Sequence, residues 1–305
     1  MTPSGRQLRL VAGEYVAVVT EVGAGLREFT HGGSPVTRGY DEGVRMQLHR
    51  GGLLAPWPNR IGDGKYSFGG VERQLAVNEI PRNTALHGLI NWHAWTIVSA
   101  ADDRVTLSTR IWPQPGYDFM VDLSVTYLLD AAGGLTITLV ATNAGDAPAP
   151  YGASIHPYLV ASGASVNDYT MTVPAASVVN VDPDRLLPTG GTSPVAGTEL
   201  DFREPRLVGS TMIDHAMYDL IAGTDHLAAA RVVGADGRGA EILWDVTECP
   251  WVQVHTADRP EAINNRVGMA IEPMTCPPDA FRTGDGLIVL EPGEATSAWW
   301  TIRVV

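Results

Sequence analysis

His156 lies in the run Tyr151-Gly-Ala-Ser-Ile-His-Pro-Tyr-Leu159, and Glu272 in the run Ala270-Ile-Glu-Pro-Met-Thr-Cys-Pro-Pro-Asp-Ala-Phe281. Each is an ionisable side chain set into an apolar stretch that otherwise reads as strand. A histidine, with a reference pKa of about 6.5, can give a proton near neutrality, and a carboxylate can take one. A charge buried without a partner is costly, so Glu272 is the most conspicuous single position in the chain. Three further polar groups could orient a small neutral molecule. Arg60, in Pro56-Trp-Pro-Asn-Arg-Ile61, carries five donors in a fixed fork and follows Asn59 in a loop stiffened by two prolines. His87 precedes Gly88, a residue that allows close backbone approach. Asp214, in Thr211-Met-Ile-Asp-His-Ala-Met-Tyr218, could accept hydrogen bonds from neighbouring hydroxyls. The set points to acid–base chemistry on a polar substrate.

Each residue also has a plainer explanation. Arg60 could pair with a surface acid, and Asp214 could cap a turn. His87 and His156 could be core histidines bonded to carbonyls. Glu272 could be ion-paired with Arg60 or Arg82. Trp57 reads as core packing. The remaining histidines, among them His49 and His255, show no metal-type spacing, and the separation of His87 and His93 is not that of a zinc protease helix.

The elements that must position these groups are strands. The chain has 305 residues, 33 of them glycine and 21 proline, and these punctuate it every ten or so positions. Between them the pattern favours period two. Val121, Leu123, Val125 and Tyr127 fall on one face, and Asp122, Ser124 and Thr126 on the other. Leu135–Leu139 repeats the pattern after Asp130-Ala-Ala-Gly-Gly134, which predicts a hairpin. Similar strands are expected at 15–20, 104–109, 241–244, 251–256, 269–272, 287–290 and 298–304. No long amphipathic helix is evident. Many short strands at this spacing predict an all-β chain, a large antiparallel β-sandwich, forming one domain over 1–305. Thr189–Thr198 reads as the loosest segment.

A net charge of −13 argues against a nucleic-acid partner, because acidic surfaces repel phosphate. Cys249 and Cys276 lack metal-type spacing and read as free thiols of a reducing compartment. With neither a signal-peptide core nor a membrane-length apolar run, a cytoplasmic location with no membrane partner is expected.

In order along nearly the whole chain, these segments resemble the aldose 1-epimerase (galactose mutarotase) family. Asn59-Arg60-Ile61 followed by Gly64-Lys-Tyr-Ser-Phe68 looks like its sugar-binding arginine loop. Leu86-His87-Gly88 with Trp95 looks like its first histidine motif. Ile155-His156-Pro157-Tyr158 keeps the second histidine and its tyrosine without the usual flank. Asp214-His215 resembles the Asp-His pair, and Glu272-Pro273 with Pro278-Asp279-Ala280-Phe281 the glutamate segment. The resemblance implies a β-supersandwich, no metal or organic cofactor, Glu272 as base and His156 as acid. It also implies Arg60, His87 and Asp214 as substrate-holding groups, which Asn59 joins. The expected partner is a small-molecule sugar, and the expected assembly a monomer or homodimer. The expected activity is interconversion of the α and β anomers of an aldopyranose, with carboxylate Glu272 and protonated His156 at rest. The glutamate segment is closer to bacterial branches of uncertain sugar preference, including sulfoquinovose mutarotases. Rival readings are a non-catalytic carbohydrate-binding protein, a glycoside hydrolase using Asp214 and Glu272, and a sugar-phosphate epimerase reading its anion with Arg50, Arg60 or Arg82.

Overall fold

Alternation decides the largest sheet. In the strand Val121–Asp130 the odd-numbered side chains from Val121 to Leu129 are buried, and their even-numbered neighbours face outward. Its partner Gly134–Asn143 pairs in register from Leu129 opposite Leu135 to Val121 opposite Asn143. The turn between them is closed by Asp130 Oδ1, which accepts from the backbone N–H groups of Ala132 and Gly133. The predicted hairpin is present where the sequence places it.

The computed structural model describes residues 2–305. Among the described residues the hairpin sits in a nine-stranded antiparallel sheet, which also contains Thr96–Ala100, Arg104–Ile111, Ala295–Val304, Gly239–Asp245 and Leu227–Val233. An eight-stranded sheet faces it, running Pro188–Pro194, Ala175–Val181, Asp214–Leu220, Trp251–His255, Met269–Met274, Ser154–Ile155, Leu53–Leu54, with Tyr158–Leu159 also on Met269–Met274. Inward residues of both sheets, such as Leu123, Val125, Val252, Val254 and Ile271, share one hydrophobic core. This is the expected all-β antiparallel sandwich. The α-helix among the described residues is one turn, Ala280–Thr283, and no helix is long and apolar enough to cross a membrane.

The register of the eight-stranded sheet gathers chemistry. Asp214 stands opposite His255, and Gln253 opposite Glu272. Gln253 and His255 are two apart, so their side chains leave the same face, and directly opposed residues share that face. Asp214, His255, Gln253 and Glu272 therefore project together, while Val252, Val254 and Ile271 point into the core.

One segment departs from the sequence reading. Thr189–Thr198, expected to be loose, contributes most of an edge strand, Pro188–Pro194, paired with Ala175–Val181 through contacts such as Val179 opposite Thr192. An edge strand needs hydrogen bonds on one side only, so Gly190, Gly191 and two prolines are tolerated there. Trp57 is buried in the core, its Nε1 donating to the Ala85 carbonyl, and both cysteines are buried free thiols.

Candidate active site

Two short strands, Arg60–Gly62 and Thr84–Leu86, pair with Arg60 opposite Leu86, and so carry the arginine loop beside His87. Asn59 and His87 both adopt left-handed backbone, with φ of 54° and 63°. They clasp each other. The Asn59 backbone N–H donates to His87 Nδ1 at 3.2 Å, and the His87 N–H donates to the Asn59 carbonyl at 2.9 Å. Burial, with His49 and His156 nearby, pushes the His87 pKa well down, so the ring is neutral. Because Nδ1 accepts, Nε2 carries the hydrogen and is a donor into the cleft.

Gly88 makes this clasp possible. Its φ is +73°, and a Cβ there would fall 2.1 Å from the Ala55 carbonyl oxygen. Gly88→Ala is expected to destabilise the fold by about 1–3 kcal/mol and to displace His87. Thermal denaturation with substrate titration checks both effects, and a variant of wild-type stability and affinity would refute the close-approach argument.

Arg60 is held on three sides. Nε and Nη2 donate to the two carboxylate oxygens of Glu79 at 2.8 and 3.1 Å, Nη2 reaches Asp214 Oδ2 at 3.5 Å, and Nη1 reaches Asn59 Oδ1 at 3.4 Å. Asn59 Oδ1 also accepts from the Arg60 N–H at 3.0 Å, so the Asn59 side chain orients the arginine. Asp214 Oδ1 accepts from Gln253 Nε2 at 2.7 Å. Burial pushes the Asp214 pKa up, but His255, Arg60 and Arg82 pull harder, and the net effect holds it below the usual carboxylate range.

His156 Nε2 lies 3.3 Å from Glu272 Oε1, and both side chains are almost wholly inaccessible to solvent. The His156 ring stacks on Tyr158 with centroids 5.0 Å apart, meets His87 edge-on, and faces His49. Glu272 Oε2 is buried without a protein partner. Burial, then the charge of Asp214, pushes the Glu272 pKa well up against the pull of Arg60. Burial, then His49 and His255, pushes His156 well down. The site without sugar thus favours the neutral pair, protonated Glu272 and neutral His156. The expectation from sequence is carboxylate Glu272 and protonated His156 at rest, and desolvation works against both of those charges. The two forms hold the same number of protons and differ only in which partner carries the shared one.

A cleft of about 700 Å³ joins these groups, large enough for a monosaccharide. Its wall includes all six residues singled out by sequence, Asn59, Arg60, His87, His156, Asp214 and Glu272. His49, Glu79, Gln253, His255 and Arg259 also line it and were not anticipated as site residues. Gln253 and His255 had a legible signal, as polar residues at alternate positions of the apolar strand Trp251–His255. Glu79 and His49 lie in loops and had none. The sequence alternative of a Glu272–Arg60 or Glu272–Arg82 ion pair is replaced by contact with His156, while both arginines pair with Glu79. Arg50, a candidate for reading an anion, lies outside this cleft, behind Tyr158, where it donates to Asn264 Oδ1.

His87, His156 and Glu272 place one possible ligand atom each within 4.8 Å of one another. Three lone pairs for a cation would require His87 to move its hydrogen onto Nδ1, against the Asn59 N–H. The donor set fits a hydroxyl better than a metal ion.

The aldose 1-epimerase family model matches residues 6–303. The chain is 34% identical over 313 aligned positions to the uncharacterized protein YihR of Escherichia coli strain K12, covering 98% of this chain and 93% of that one. It is 30% identical over 230 positions to human galactose mutarotase, covering 70% of this chain and 64% of that one. A solved aldose epimerase homologue from C. elegans shares the fold, with a TM-score of 0.85, 20% identity and 98% of each chain covered.

Proposed function

The chain belongs to the aldose 1-epimerase family, and from that premise we propose that it interconverts the α and β anomers of an aldopyranose by acid–base ring opening and closure. The observation that carries the reading is the His156–Glu272 pair, 3.3 Å apart in a buried cleft whose other groups are oriented donors and acceptors.

A sugar entering the cleft places its anomeric hydroxyl against Glu272 and its ring oxygen against His156. Hydroxyls then supply hydrogen bonds that favour the charged forms, so the shared proton moves from carboxyl to imidazole with no net exchange with solvent. Glu272 removes the proton of the anomeric hydroxyl while His156 protonates the ring oxygen. The C1–O5 bond breaks, its electron pair stays on O5, and an open-chain aldehyde forms. Rotation about C1–C2 presents the opposite face of the carbonyl. On closure His156 takes the proton back from O5 and Glu272 returns one to the carbonyl oxygen, which restores both groups. His87 Nε2–H and Arg60 hold hydroxyls, and Asp214 fixes Arg60. Well-placed acid and base groups contribute about 10²–10⁴ each, and orientation adds to this.

Glycoside hydrolysis is a poorer fit. It needs a second free carboxyl group, and both Asp214 oxygens are engaged by Arg60 and Gln253.

The test is polarimetry on freshly dissolved α-anomers of glucose, galactose, xylose, arabinose and sulfoquinovose. The expected result is a rate above the spontaneous one for at least one sugar. His156→Asn is expected to lower kcat by about 10²–10⁴ with a much smaller change in KM. Sugar binding with no rate above background would instead make this a carbohydrate-binding protein.

A further inference from the structure

Leu48 and His49 are consecutive residues in left-handed backbone, with φ of 52° and 56°. Neither is glycine, so the conformation costs energy and persists only where its surroundings impose it. Here the His156 segment imposes it. The Gly51 N–H donates to the His156 carbonyl and the His156 N–H donates to the Gly52 carbonyl, each at 2.9 Å. The Tyr158 hydroxyl donates to the Leu48 carbonyl at 3.1 Å. A strained turn is thus stapled to the segment that carries His156, and it delivers His49 to the cleft wall. Strain held in this way gathers at functional sites.

His49 is half-buried and meets His87 edge-on, with ring centroids 4.6 Å apart. Its Nδ1 is buried without a hydrogen bond, so Nε2 is the nitrogen left to face the cleft. Asn91 decides which nitrogen carries the hydrogen. Asn91 Nδ2 is engaged by the His87 carbonyl at 3.0 Å, which leaves Oδ1 buried and without a donor. The Asn91 side chain pulls the His49 pKa up against burial, as an acceptor oxygen does and a donor does not. The hydrogen therefore sits on Nδ1, on the Asn91 side, and Nε2 offers its lone pair. Burial still brings the His49 pKa down to about 4, so the ring is neutral near neutrality and the lone pair is free. His87 presents the opposite face, since its Nδ1 accepts from Asn59 and its Nε2–H donates. A donor and an acceptor on adjacent rings match one hydroxyl, which gives one hydrogen bond and takes another. A hydroxyl oxygen making two bonds of about 2.9 Å reaches nitrogens up to about 5.8 Å apart, a span that the ring separation permits.

We infer that His49 is a third substrate-contacting histidine, accepting the hydrogen of the sugar hydroxyl to which His87 donates, so that the two rings together select for a hydroxyl at one position of the sugar. The inference rests on the mutarotase reading for the orientation of the sugar. Glu272 and His156 serve C1 and O5, and His49 stands outside the close group of His87, His156 and Glu272. The hydroxyl that His49 reads is therefore not the anomeric one.

Two substitutions separate this contact from a structural role. Asparagine tolerates left-handed backbone and places an amide where Nδ1 stands, but has nothing at Nε2. Glutamine brings an oxygen to the Nε2 position. Binding of anhydroglucitol, anhydrogalactitol and their monodeoxy relatives is measured by calorimetry. The rings of these sugars cannot open, so the result is independent of catalysis. His49→Asn is expected to bind a parent sugar about three- to tenfold more weakly, and the loss is expected to vanish for the one deoxy relative that lacks the hydroxyl. His49→Gln is expected to recover part of the affinity. In anomerisation the His49→Asn loss should appear in KM, with a much smaller change in kcat. Nitrogen NMR of the wild type should place the hydrogen on Nδ1 of His49 and on Nε2 of His87. Wild-type affinity in His49→Asn, an equal loss for every deoxy relative, no wild-type binding of either parent sugar, or a hydrogen on Nε2 of His49 overturns the contact. Absence of anomerisation together with a loss confined to one hydroxyl would overturn the mutarotase reading and leave the contact standing.

Discussion

Glu272→Gln is expected to lower kcat by about 10²–10⁴ and at the same time to raise the melting temperature. The catalytic loss arises because an amide cannot take the anomeric proton, although it fills the same space and can donate to His156 Nε2. The stability gain comes from burial. The folded protein raises the Glu272 pKa well above its ordinary value of 4.5. Above pH 4.5 the unfolded chain releases a proton that the folded chain retains, so the penalty on folding grows as pH rises towards the folded pKa. Glutamine has no such penalty. The gain in Tm is therefore expected to be small near pH 5 and larger, by a few degrees, at pH 8. Calorimetry at the two pH values checks the sign. A variant that loses activity and is also less stable than wild type at pH 8 would show that the carboxylate is a structural ion pair. Improved stability with lost function is the usual signature of a group kept for chemistry.

Arg60→Met is expected to cost about 3 kcal/mol of stability, the low end of the range for removing one partner of a buried pair. The Glu79 and Asp214 side chains are 13% and 25% exposed, and each would face an apolar group in place of a guanidinium. Glu79 keeps Arg82 and Thr84, which limits the loss. At about 2–4 °C per kcal/mol for chains approaching this size, Tm would fall by roughly 6–12 °C. The pH dependence is diagnostic. Burial alone would raise both carboxylate pKa values, but for Glu79 the bonds to Arg60, Thr84 and Arg82 outweigh it, and for Asp214 the charges of His255 and Arg60 do, so both sit below their ordinary values. Depressed pKa values stabilise the fold above the unfolded values and lose that effect as pH falls. The difference between wild type and variant should therefore shrink as pH approaches 4. Arg60→Lys, with a charge but no fork, should lie between them in Tm and bind sugar less tightly than wild type. Equal Tm for Arg60→Met and wild type at pH 7 would mean the network contributes nothing.

Much of the fold is legible in the chain's own periodicity. Period two in Val121–Tyr127 and Leu135–Leu139 places the central hairpin of the large sheet, because alternate side chains of a strand must leave opposite faces. An ionisable residue in an apolar strand marks Glu272, and the order of the arginine, histidine, Asp-His and glutamate segments marks the family. The loops are harder. The edge strand Pro188–Pro194 carries glycine and proline, whose local preferences argue for coil. Only pairing with Ala175–Val181 makes it a strand.

The residue types that could move a proton, and the strands that could carry them, were determined by the chain itself, since both come from local chemistry and periodicity. Their meeting was not. Antiparallel register sets Asp214 opposite His255 and Gln253 opposite Glu272, and it joins positions remote in sequence through long-range pairing. The donor form of His87 depends on one backbone N–H from Asn59, which comes close enough only because both residues are left-handed. The resting protonation of His156 and Glu272 depends on how completely water is excluded from them, and exclusion of water is a property of the packed molecule.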